Sequence, residues 1–344
     1  MDVLQEAVAE LVGVFRRNPD KYEAHAAAAP VMRQISHDDR FTTAMLRKYL
    51  ASPESLDRGN YPVVALPVDL NPWFGMNANC WIPLPDRNSN LSTKAIHHHG
   101  KLLLTTATLF GPGYEHWTFT TPAARPGSND LYSMDLIEAA AHPRHHVAFV
   151  DTFIPHTPFY PTDTSITLAL FSNSSPTTWR DRAKRLPVVR GREQKLRKLT
   201  QALGLGRALD LKIVDSFDYY PTADGFRVMR ERKEFELGPA SDHVASVLHL
   251  VQKTGNEQLA PLIRRNLEAG RYCEGRAAVA ELLPKLERGE TIEPRLSAGH
   301  YDRPYANFTR EDIHRALSAL RKGSDGRRLP ATPSAEAVAS PAAE

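Results

Sequence analysis

A mainly β protein with helices before and after its strands is the fold class this sequence predicts, and three observations lead there. From Tyr61 to Ser175 short runs rich in Val, Ile, Leu, Thr and aromatic residues are broken by Pro, Gly, Asn and Asp, the texture of a sandwich or barrel. Before and well after that region, apolar residues recur at three- and four-residue spacing instead, the period of amphipathic helices. At 344 residues, 42% hydrophobic and 24% charged, the chain is of globular composition and long enough for two folding units.

The elements follow in order. Met1 to Phe15 sets Leu4, Ala7, Val8, Leu11 and Phe15 in a stripe with Asp2, Glu6 and Glu10 between them; this is an amphipathic helix rather than a signal peptide. A second helix forms around Phe41, Met45, Leu46 and Leu50 and stops at Ser52-Pro53. Strands are expected over 63–68, 77–82, 101–110, 114–120, 146–154 and 165–171. Trp179 to Lys198 then carries nine Lys or Arg against Asp181 and Glu193, which reads as a solvated connector because no aromatic residues interleave it. Leu211 to Phe217 and Phe226 to Phe235 pair as a hairpin across Pro221 to Gly225. Helical stripes follow at Val244, Val247, Leu248 and Val251, at Leu259, Ile263 and Leu267, at Leu282, Leu283 and Leu286, and at Ile313, Leu317 and Leu320, the last capped by Thr309. The division expected is a helical segment over 1–60, a β-barrel over 61–178, a mainly helical unit over 185–322, and a disordered tail over 323–344, rich in Ala, Pro, Ser and Gly.

The chemistry concentrates at Ala95-Ile96-His97-His98-His99-Gly100 and, further on, at Phe149 to His156. On a strand, alternation sends His97 and His99 to one face and His98 to the other, so two imidazoles project together and a third can join them from a later strand. Fourteen histidines in one chain will cluster by chance in places, but spacing of i and i+2 on a strand has a geometric reason behind it. Three imidazoles suit a first-row divalent metal and leave coordination positions open.

The residues around these histidines resemble the cupin superfamily and in particular its cysteine dioxygenase branch, over about residues 76 to 176. Cys80-Trp81, a loop, and Ile96-His97-His98-His99-Gly100 are similar to that branch's Cys-Trp, loop, Ile-His-Asp-His segment. Leu109-Phe110-Gly111 leading to Trp117-Thr118-Phe119 resembles the turn and returning strand after its paired histidines. Ala148 to His156, then Ser165 to Ser172, resemble the strand with its third histidine and the one that follows. The resemblance implies a cupin β-barrel, or jelly roll, flanked by helices, with His97, His99 and His156 as ligands of a non-haem Fe(II). It also implies a dioxygenase-like oxidoreductase that takes a small-molecule substrate and O2.

The departures from that pattern are specific. Leu103 and Leu104 stand where many cupins place a glutamate, which favours three histidines without a carboxylate. Ala169 and Phe171 stand where thiol dioxygenases carry an assisting histidine and tyrosine, and Leu104 where their crosslinked cysteine would be. No arginine matches the one that holds the amino-acid carboxylate, though Arg58 and Arg87 lie nearby. Cysteine is therefore not the expected substrate. Glu115, His116 and Tyr160 are the candidate replacements: Glu115 and His116 at the start of a barrel strand, Glu115 as proton acceptor or orienter of a ligand, and Tyr160 at the mouth. Asp151 is expected to bond within the barrel, His98 to point away from the ligands, and His142, His145 and His146 to lie in an exposed loop.

The expected function is thus a non-haem Fe(II) oxygenase acting on a small polar molecule. Two alternatives stand beside it: a ligand-sensing cupin that signals through its C-terminal helices, and a redox-inert metal cupin working as an isomerase or lyase. A net charge of +3 gives no reason to expect nucleic acid or a membrane as partner. Two distant cysteines, Cys80 and Cys273, fit a reducing cytoplasm. A homodimer is compatible with the helical unit, and no phosphate-binding glycine loop calls for an organic cofactor.

Overall fold

The computed structural model describes residues 2–57, 63–83, 92, 95–125, 128, 130–174, 218–229, 239–295 and 308–323. Three helices lead: α1 (Val3–Arg17), α2 (Lys21–Ser36) and α3 (Asp39–Ala51). Each is started by an aspartate whose carboxylate accepts from backbone N–H groups of the first turn: Asp2, Asp20 and Asp38. In α1, Gln5 answers Asp2 in a capping box.

Two antiparallel sheets follow. The five-stranded sheet has the order β1 (Val64–Leu70), β2 (Gly75–Trp81), β11 (Ser165–Asn173), β4 (Leu102–Phe110), β9 (Val147–Val150). The eight-stranded sheet runs β6 (Ala123–Ala124), β7 (Leu131–Ser133), β13 (Gly225–Met229), β12 (Asp218–Thr222), β3 (Ile96–His97), β10 (His156–Phe159), β5 (Tyr114–Phe119), β8 (Leu136–His142). Together they form a curled, β-rich half-barrel with helices at both ends. The C-terminal helices are α4 (Ala240–Lys253), α5 (Ala260–Glu268), α6 (Arg276–Glu287) and α7 (Arg310–Gly323).

Most buried apolar residues of the strands face away from the space between the sheets; Trp81, Tyr114 and Phe171 are inward exceptions. On the five-stranded sheet Leu66, Met76, Ala78, Leu109, Ile166, Leu168 and Leu170 are buried in one cluster with residues of α1 to α6. On the eight-stranded sheet Ile96, Trp117, Phe119, Phe159, Tyr219 and Phe226 are buried in another with Ile313, Ala316 and Leu317 of α7. Burying Ile313 and Leu317 there contributes roughly 2 kcal/mol each, and Thr309 and Asp312 cap the helix reciprocally. The alternate residues of the same strands, Asn77, Asn79, Thr106 and Thr167 on one sheet and Tyr114, His116 and His142 on the other, are polar and face inward by register.

Three elements differ from the sequence expectation. The run 146–154 is not one strand: β9 ends at Val150, Phe153 takes a left-handed backbone at φ 57°, and the chain crosses to the other sheet before His156 opens β10. Strand β8, Leu-Ile-Glu-Ala-Ala-Ala-His, has helix-forming composition, and its pairing with β5 overrides that preference. His142 is consequently buried at the end of β8 rather than exposed in a loop. The hairpin lies at 218–222 and 225–229 and joins the eight-stranded sheet, with β12 on β3 and β13 on β7. The basic stretch 179–198, the run Leu211 to Phe217 and the tail beyond Gly323 lie outside the described residues.

The turn between β4 and β5 cannot replace Gly113. Its φ is +87°, and a Cβ there would sit 1.9 Å from the His142 carbonyl oxygen. Its N–H donates to Ser165 Oγ at 3.0 Å, tying the turn to the start of β11.

His25 of α2 is clamped between Thr105 Oγ1 at 2.7 Å and Ser172 Oγ at 3.0 Å, joining the helix to β4 and β11. Burial, with a smaller push from Lys21, lowers its pKa to about 4. A histidine whose folded pKa lies below its unfolded value near 6.5 contributes stability at higher pH and loses it as pH falls between the two values. His25 should therefore contribute about 3 kcal/mol of the stability lost between pH 6.5 and 4, and denaturant melts of a His25→Asn chain should show an acid slope visibly shallower than the parent's.

Candidate metal centre

The site is built on a two-residue strand, β3. His97 of β3 stands directly opposite His156 of β10 and, on its other side, opposite Asp218 of β12. Residues in such register share a face. Their neighbours Ile96 and Tyr219 enter the core under α7, so His97, His156 and Asp218 occupy the inner face. Past the end of β3 the chain returns His99 to the same side. The ring centroids are 5.1 Å apart for His97 and His99, 4.5 Å for His97 and His156, and 4.7 Å for His99 and His156. One ring nitrogen from each lies within 4.8 Å of the others, and the Nε2 atoms of His97 and His99 are 3.1 Å apart.

Two hydrogen bonds set the tautomers. His97 Nδ1 donates to the Ala95 carbonyl and His156 Nδ1 to the Ile154 carbonyl, each at 2.8 Å. A carbonyl can only accept, so the proton sits on Nδ1 and each Nε2 keeps its lone pair. That is the arrangement of metal-binding histidines, whose second nitrogen is held by a backbone or carboxylate acceptor. The donor set fits a first-row divalent ion. His98 is turned away: its Nδ1 accepts from Gly100 N at 3.0 Å and its ring sits beside Phe153.

The other sequence candidates divide by strand parity. His116 faces inward and its ring lies 5.0 Å from that of His156. Burial first, then the neighbouring His156, His142 and His99, hold it well below the usual histidine range. Glu115 faces outward. Its Oε2 accepts from Arg310 Nε at 3.0 Å, its Oε1 accepts from Trp117 Nε1, and the Arg310 guanidinium lies 4.2 Å over Phe159. Burial would raise the Glu115 carboxyl, but the Arg310 and Trp117 hydrogen bonds outweigh it and keep it below the ordinary range. Tyr160 is buried one residue past β10. Asp151 is exposed and accepts from Tyr22 of α2 at 2.9 Å, on the helix side of the sheet. Ala169 and Phe171 face inward, the Phe171 ring covering Gly75. Arg58 and Arg87 lie outside the described residues.

Sequence reasoning did not anticipate Asp218, Arg310 or the buried His142. No local pattern announced either His142 or Asp218: the alanine-rich run 136–142 shows no alternation, and the place of Asp218 depends on which strand the hairpin joins.

No family model matches this chain, and no curated protein does. Solved structures similar to it include TT1209 from Thermus thermophilus, at 14% identity and a TM-score of 0.24 over 36% of this chain and 94% of that one. Another is oxalate oxidase in complex with the substrate analogue glycolate, at 14% identity and 0.19 over 44% and 69%. A third is the capsular polysaccharide assembling protein CapF from Staphylococcus aureus, at 14% identity and 0.17, of which this chain spans about a third. At such scores these likenesses decide neither fold nor chemistry. Among the described residues no helix is long and apolar enough to cross a membrane.

Because Glu115 ties β5 to α7 from the outer face, Glu115→Gln should lower stability by about 1 kcal/mol, the pair being partly solvent-screened. Metal content of the purified chain should not change. Urea melts and elemental analysis on one preparation check both halves.

Proposed function

We propose that this chain is a metal-dependent enzyme of the cupin kind, a non-haem Fe(II) oxygenase acting on a small polar molecule other than cysteine. The observation that carries the reading is the convergence of His97, His99 and His156, with the Nδ1 protons of His97 and His156 committed to backbone carbonyls. A bound first-row ion with open positions would supply redox or Lewis-acid chemistry there. The protein's part is orientation and exclusion of water. The carbonyls of Ala95 and Ile154 hold two rings at fixed angles, and the polar inner faces of both sheets position a substrate beside them. The helix layers on both outer faces keep those sheets in place.

Replacing His97 or His99 with Ala should cut metal stoichiometry sharply while circular dichroism stays native. Full metal occupancy in both variants would sink the site. Iron-loaded protein should consume O2 with a small polar substrate in an oxygen electrode; turnover that proceeds anaerobically would favour the isomerase or lyase instead. Free L-cysteine should not be converted to its sulfinic acid, because Ala169 and Phe171 occupy the inward positions of the groups that the thiol dioxygenases use. Mass spectrometry of the reaction mixture reads this directly.

A further inference from the structure

One imidazole beyond the three-histidine group is buried in the inner space with nothing bonded to it. His142, the last residue of β8, is 5% exposed, and neither its Nδ1 nor its Nε2 has a hydrogen-bond partner. Register with Tyr114 puts it on the inner face. Its ring stacks on Tyr114 at 5.0 Å and meets His116 edge-on at 5.3 Å, and His116 in turn lies against His156. A buried donor and acceptor left unmade is costly, and such groups persist where a ligand completes them.

The surroundings restrict what that ligand is. Tyr114 is covered on both faces, by Trp81 at 5.0 Å and by His142, so the stack offers ring edges rather than an open aromatic platform. Trp81 Nε1 is committed to Thr167 Oγ1 at 3.1 Å. Asn77, Asn79 and Thr106 add donors and acceptors without charge, and among the described residues no Lys or Arg occupies an inward position of β2, β4, β5, β8, β10 or β11. Burial, with a smaller contribution from His146, lowers the His142 pKa to about 4, so at neutral pH the ring offers one N–H and one lone pair. A hydroxyl group, which both donates and accepts, can complete either nitrogen. A carboxylate only accepts, so it can complete the protonated nitrogen alone, and at the other it would set its charge against the lone pair.

We propose that His142 is a ligand-binding residue of the inner space, taking a hydroxyl of an uncharged, polyhydroxylated substrate whose reacting end reaches the three histidines. The location of the reaction rests on the function proposed above; the binding role of His142 does not.

The test is calorimetric titration of the full chain, metal-stripped and iron-loaded, with xylitol and with xylonate. Xylitol should bind saturably and in preference to xylonate. His142→Phe, which keeps a flat ring on Tyr114, should weaken xylitol binding about tenfold or more with metal content unchanged, and His142→Gln, which retains a donor and an acceptor, should lose less. Preference for xylonate, undiminished xylitol binding in His142→Phe, or no xylitol binding by the parent chain overturns the proposal. Should the Phe variant not fold, equal binding by His142→Gln and His142→Leu does so as well. A chain that binds xylitol through His142 yet holds no metal defeats the proposed reaction and leaves this inference standing; metal without xylitol binding does the reverse.

Discussion

The architecture depends on the pairing of a two-residue strand. Ile96–His97 is held by β10 on one side and β12 on the other, and a slip of one residue in either ladder would send His97 into the apolar layer under α7 and Ile96 into the inner space. Burying an imidazole among Trp117, Phe159 and Phe226 without a partner costs a few kcal/mol, on top of the loss of what burying Ile96 there contributes. The register is thus set by the contrast between the two side chains rather than by backbone bonds, which are too few over two residues to choose. The three-histidine group and the α7 core are two faces of one choice.

The crossing at Asp151 to Pro155 supplies the second condition. Strand β9 belongs to the five-stranded sheet and β10 to the eight-stranded one, so the segment between them must turn out of one layer and into the other. Phe153 manages this in the left-handed region, and its N–H donates to the Gly100 carbonyl at 2.8 Å. Gly100, also at positive φ, closes the turn that carries His98 and His99. One hydrogen bond therefore fixes the segment before His156 to the segment after His99, which is why histidines distant in sequence arrive together.

Much of this was legible in the chain. Period-2 and period-3.6 patterns marked the helices α1 and α3, most of the long strands and the stripes of α4 to α7, because those elements bury one face and their apolar spacing says so. His97, His99 and His156 were legible from strand alternation and local motif. What was hidden depends on tertiary choice. Strand β8 is alanine-rich and carries no strand pattern of its own, so His142 looked like a loop residue until β5 claimed it. Glu115 and His116 were adjacent candidates, and only the register of β5 against β10 shows that one meets Arg310 and the other His156. Asp218 lies on a hairpin whose partner strand no local pattern announces.

The distribution of polarity explains how such a protein tolerates its site. A half-barrel with histidines, asparagines and threonines inside cannot be held together from within, since each of those groups must stay hydrogen-bonded or solvated. Cohesion is moved to the outer faces, where Leu66, Met76, Ile166 and Leu168 meet the helices α1 to α6 and Ile96, Trp117 and Phe159 meet α7. Even the polar links to those helices, His25 with Thr105 and Ser172 and Arg310 with Glu115, lie on outward residues. Inner-face residues are in consequence free to vary with the ligand while the sheets stay in register, and substitutions there should alter recognition more than stability. The same separation runs along β11, where Ala169 and Phe171 face the inner space while the outer positions Ile166, Leu168 and Leu170 keep the apolar alternation that holds the strand against the helices.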